Sequence, residues 1–160
     1  MATVTELVKR YRSIDRDRMQ GLPIYNERLD VEAIGFGDFQ GHTLGVLVTP
    51  WFMNLILLPQ SEDWSDRAEG SVSEWSLPAG EHEFTTCRDE TLGTYLSAVL
   101  FRTMAHFPDQ ATARAIAHEV LERLFEVPPT QQPPEAHTTP ANAISLQPSL
   151  RTRKRRRTPQ

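Results

Sequence analysis

Fifteen consecutive residues, "GVLVTPWFMNLILLP" at 45–59, carry no charge, and the uncharged run reaches from Phe39 to Ser61 if His42 is counted neutral. Such a stretch has to be a membrane span, a pair of buried strands, or an apolar surface kept for a partner. A spanning helix needs about 20 mainly apolar residues. This run has Gly41 and Gly45 near its start, Pro50 and Asn54 inside it and Pro59 near its end. Its apolar pieces are therefore short, and no membrane span is expected. Two buried strands joined through "TPWFM" fit the pattern better.

The rest of the chain supplies partners for those strands. Thr3 followed by Glu6 is a capping-box spacing, and Val4, Leu7, Val8, Tyr11 and Ile14 share one helical face, which predicts a first helix. "GLPIYNERL" reads as an ordered extended connection around Pro23. The segment 30–49 predicts a hairpin turning at "QGH", with Gly35 and Gly37 marking a bulge or bend. A break follows at Pro50, then a third strand, "NLILLP", and a polar loop, 60–70, that contains Trp64. A second hairpin spans 71–88 around "PAGE", and 92–104 is read as a further strand. The last helix begins at Asp109 and turns Ala113, Ile116, Ala117, Val120, Leu121 and Leu124 inward, before Pro128 and Pro129 stop it. The expected fold is α+β. It is an antiparallel sheet of about six strands, flanked by an N-terminal and a C-terminal helix that both cover one face.

Composition divides the chain in two. Beyond Pro128 there is no apolar periodicity, many prolines and a basic run, "RTRKRRR" at 151–157. Such a segment buries too little to offset its ordering entropy, so the expectation is a folded domain at 1–127 and a disordered tail at 128–160. The tail holds six of the 17 Lys and Arg and one of the 21 Asp and Glu. That leaves 11 basic and 20 acidic groups in 1–127, a net charge of −9 within an overall −4. A basic tail attracts anions, but no aromatic residue lies in it for base stacking, and the folded part is acidic. No specific nucleic-acid partner is expected.

No catalytic constellation stands out. There is no zinc-protease helix motif, and Gly35, Gly37 and Gly41 fall in a hairpin rather than at a strand-to-helix turn. A metal site would need convergence among His42, His82, His106, His118 and Cys87. Strand alternation instead sets His82 opposite Glu81 and Glu83, so no metal or cofactor is expected. Cys87 is the sole cysteine, which excludes an intrachain disulfide and fits a reducing cytosol. The charged N-terminus lacks the apolar centre of a secretory signal. What remains is Trp51, Phe52 and Met53 in the break between strands, together with Trp64. They either plug the end of the sheet or form a partner-binding apolar patch.

"LPIYN" (22–26), "VEAIGF" (31–36), "GHTLGVLVTPWFMNLILLP" (41–59), "LPAGEHEF" (77–84) and "LGTYLSAVL" (92–100), in this order, resemble the HybE/HupJ type of [NiFe]-hydrogenase assembly chaperone. The resemblance covers about 20–125 and leaves the basic tail outside the pattern. It implies a cytoplasmic, non-enzymatic maturation factor that holds the precursor of the large or small hydrogenase subunit before twin-arginine export. A metal-handling accessory role in cofactor assembly is the alternative. Some relatives carry a rubredoxin module with paired CxxC ligands, which Cys87 alone cannot supply, so iron is not implied.

Overall fold

The computed structural model describes residues 2–127, and the tail read at 128–160 lies outside the described residues. Helix α1, Val4–Ile14, starts at the capping box. Thr3 Oγ1 accepts from the Glu6 N–H (3.1 Å) and the Glu6 carboxylate accepts from the Thr3 N–H (2.9 Å), which satisfies two otherwise orphaned donors. The helix then widens into a single π turn, Asp15–Met19, that the sequence pattern does not announce.

Six strands follow: β1 Glu32–Phe39, β2 His42–Val48, β3 Met53–Leu58, β4 Val72–Leu77, β5 Gly80–Asp89 and β6 Gly93–Phe101. Helix α2, Gln110–Leu124, closes the order. The strands make one antiparallel sheet, β1-β2-β3-β6-β5-β4, so two three-stranded meanders meet where β3 pairs with β6. The first hairpin turns at Gln40 (φ 51°) and Gly41 (φ 84°), the doubly left-handed geometry that suits a two-residue hairpin loop. The expected bulge lies between Ile34 and Gly37. The segment read as a break at Pro50 is itself a hairpin turn. Val48 opposes Met53, and the Thr49 N–H donates to the Phe52 carbonyl (2.9 Å). Pro50 and Trp51 are left at the corner.

The two helices cover opposite faces, not one as expected. Ala113 and Ala117 of α2 pack with Val46, Val48, Leu55, Leu57 and Phe84. Leu7 of α1 packs with Leu47, Ile56, Leu58 and Tyr95. Alternate residues of β2 and β3 therefore point to different helices, and every residue of β3 is buried. A strand buried on both faces reads as a continuous apolar run. That answers the opening stretch: from 44 to 59 only Phe52 is not buried. Helices on one face alone would have left Leu47, Ile56 and Leu58 in water.

The sheet curls around α2. Gln40 Nε2 at the tip of the first hairpin donates to the Ser76 carbonyl in β4 (3.3 Å), and the Ala79 N–H donates to the Leu124 carbonyl (3.0 Å). Asp109 caps α2 by accepting from the Thr112 N–H (2.8 Å), and that bond holds its carboxyl below the usual range. On the other face α1 has only 11 residues, about 16 Å of helix. It covers β1 to β3 and the start of β6, and leaves the outer parts of β4 and β5 open.

Candidate functional site

The four residues expected to bind a partner do not form an exposed patch. Met53 is fully enclosed in the core under α2, Trp64 is buried with it, and Trp51 is buried at the hairpin corner. Only Phe52 is half-buried. Its ring stands edge-on to Tyr11 of α1 (centroids 5.8 Å), whose hydroxyl lies 2.7 Å from that of Tyr95. Trp64 is held by a different set of side chains. Its ring packs against His42 (4.6 Å) and Trp75 (5.7 Å), Arg67 lies over it (4.9 Å), and its indole N–H donates to Glu62 (3.0 Å). The polar loop thus carries a buried anchor that fastens it to the sheet.

The Pro50 corner is built by Thr49. Its Oγ1 accepts from the N–H groups of Trp51 (3.2 Å) and Phe52 (2.9 Å). A threonine hydroxyl that caps the next residues in this way stabilises a tight turn. The Pro50 carbonyl then accepts from the Asn26 N–H (2.9 Å), which ties the corner to the connection "GLPIYNERL". Asn26 is the organising residue. Its Nδ2 donates to the carbonyls of Met104 (2.8 Å) and Phe107 (3.0 Å), and its Oδ1 accepts from the Arg28 N–H (3.0 Å). Three segments distant in sequence, 22–28, 49–52 and 104–107, meet at this one buried residue: its side chain holds 104–107 and its backbone N–H holds the Pro50 corner.

On that anchored connection Leu22 and Ile24 point outward, 43% and 58% exposed. A cleft of about 410 Å³ runs beside Ile24, lined by Pro23 to Arg28 and by Ala105. The sequence signal was present in "LPIYN": two large apolar residues flank a proline, where no helix or strand period gives them an inward face. The structure adds that the connection is fixed, so the two side chains are presented rather than mobile. Exposed apolar groups on a pre-organised backbone suit recognition, because less ordering entropy is lost on binding.

The residues considered for metal chemistry are scattered. His42 Nδ1 accepts from the Gln60 N–H (3.0 Å) and is a buried structural group. His82 faces Phe84 (6.2 Å), away from Glu81 and Glu83, while His106 and His118 are exposed. Among the described residues no group of three His, Cys, Asp or Glu could hold a metal ion. Burial pushes the Cys87 thiol up, against the lowering effect of Ser97, whose Oγ lies 3.2 Å from Sγ. A raised thiol is a poor nucleophile. No helix among the described residues is long and apolar enough to cross a membrane.

Comparison with known proteins places these features in a context. The family described as "[NiFe]-hydrogenase assembly, chaperone, HybE" matches residues 2–158. The match reaches further than the resemblance at 20–125 and takes in the basic run, so the tail is not outside the family pattern as expected. "Hydrogenase expression/formation protein HupT" of Azotobacter chroococcum is 45% identical over 130 residues, 80% of this chain and 86% of that protein. "Probable rubredoxin HupJ" of Rhodobacter capsulatus is 41% identical over 126 residues, 78% of this chain. Those residues make up 45% of HupJ, so the chain spans less than half of that relative. The solution structure of HybE from Escherichia coli superposes with a TM-score of 0.63 at 20% identity, over 86% of each chain. That similarity supports the fold.

Proposed function

Because the chain belongs to the HybE family of [NiFe]-hydrogenase assembly chaperones, we propose that it is a cytoplasmic, non-enzymatic factor that binds the precursor of a hydrogenase subunit before twin-arginine export. The observation that carries this reading is the anchored display of Leu22 and Ile24 at the end of the sheet. Two large apolar side chains held in water by buried hydrogen bonds cost free energy that a partner's apolar segment returns. Phe52 extends the surface from the neighbouring corner. Trp51 and Met53 act from beneath it by fixing the shape of that corner, and Trp64 acts by anchoring the long loop. The scattered histidines and the raised Cys87 thiol fit binding better than catalysis.

The test is made in cells that produce the hydrogenase but lack this chain. They accumulate unprocessed subunit, and the wild-type chain restores processing. The variant Leu22→Asp/Ile24→Asp, which alters only exposed side chains, folds normally and fails to restore it. Full restoration by that folded variant refutes the assignment of the surface.

A further inference from the structure

The open part of the α1 face carries three separate costs. On β4 and β5, Glu74 and Glu83 are directly opposed in register, and like charges so placed destabilise a sheet. Among the described residues neither takes part in a salt bridge. On the same face Val72 and Val99 are 60% and 48% exposed. Between Leu47 and Val99 in register lies Asn54, which is 8% exposed, and its Oδ1 has no donor. A buried acceptor without a donor is among the more expensive features a core can keep.

One kind of ligand relieves the first two. Cationic side chains neutralise the opposed carboxylates, and aliphatic groups cover the two valines. We propose that the open face of β4, β5 and β6 docks a basic polypeptide segment of a partner protein. This deepens the chaperone reading and rests on it only for who the partner is. Nucleic acid is repelled by the same carboxylates, and a second copy of this face would oppose like charges to like. The face is chemically distinct from the apolar display at Leu22 and Ile24, so a client engages two surfaces of different character.

The experiment titrates the full-length chain with a labelled synthetic peptide of alternating Arg and Val, using an alternating Glu and Val peptide as control. The Arg peptide binds at low salt and weakens as salt rises, with amide shifts at Val72, Thr85, Ser97 and Val99. Glu74→Gln/Glu83→Gln weakens it about tenfold while remaining at least as stable as wild type, since it removes a repulsion. Equal affinity in the double variant, or shifts confined to other acidic surfaces, overturns the proposal. Capture of a hydrogenase subunit by wild type and by the double variant with equal strength removes this inference and leaves the chaperone reading standing. Peptide binding at this face without any hydrogenase capture does the reverse.

Discussion

Replacing Asn26 by alanine leaves its backbone bond to the Pro50 carbonyl in place and removes the side chain that ties the connection 22–28 to 104–107. Three hydrogen bonds go with it: two donated to the carbonyls of Met104 and Phe107, and one accepted from the Arg28 N–H. The residue is 7% exposed, so water does not readily replace the lost partners. At about 1 kcal/mol per bond the loss is about 3 kcal/mol. In a domain of this size that lowers Tm by roughly 12 °C. Urea unfolding of wild type and Asn26→Ala, fitted with a common slope, measures it. Amide exchange adds the local reading: residues 22–28 and 104–107 lose protection more than β3 does. Asn26→Asp is worse at neutral pH, because a carboxylate then faces two carbonyl oxygens, and the deficit shrinks in acid as the carboxyl regains a proton to donate. A loss below about 1 kcal/mol for Asn26→Ala, with unchanged exchange at 22–28, refutes the claim that this side chain holds the displayed loop.

Met53→Asp places a charge in the core between the sheet and α2 and abolishes cooperative unfolding at neutral pH, whereas Ile24→Asp changes stability by less than about 0.5 kcal/mol; circular dichroism melts of both check the contrast. Asp89 accepts from the N–H groups of Leu92 and Thr91 and from Arg10. Burial pushes its carboxyl up, but these bonds outweigh that and hold it below the ordinary carboxylate value. Its contribution to stability is thus complete above about pH 4 and is lost as the pH falls through the lower folded value. Arg10→Gln flattens this acid limb in urea titrations across pH 2–6, and an unchanged limb contradicts the assignment. Gly45→Ala aims a methyl at the Phe36 ring, whose nearest carbon is 2.3 Å from the position the new Cβ would take. It destabilises by about 1–3 kcal/mol, measured by the same denaturation.

Local signals proved readable. The Thr3 and Glu6 capping box, the "QGH" turn, the Gly35 bulge and the Asp109 cap depend on neighbours within a few residues, and each stands where the sequence places it. Relations across the fold were harder. The run "NLILL" has no alternation, and a strand without alternation is one buried on both faces. Read that way, it would have set the helices on opposite sides. Trp64 sits among charged residues in sequence, and its burial comes from His42 and Trp75, brought to it by the curl of the sheet. The exposure of Leu22 and Ile24 follows from hydrogen bonds that Asn26 makes to Met104 and Phe107, which no local window contains. The apolar aromatic corner at 51–53 drew attention by composition alone. Composition does not distinguish a surface from the plug beneath it.

The central claim, that this chain holds an immature hydrogenase subunit, is met most directly by affinity capture. The tagged full-length chain is recovered from cells making the hydrogenase, and the bound proteins are identified by intact mass. The expected result is an unprocessed hydrogenase subunit that co-purifies with wild type and is lost from Leu22→Asp/Ile24→Asp. Recovery of no hydrogenase component, under conditions where the enzyme is being made, contradicts the claim.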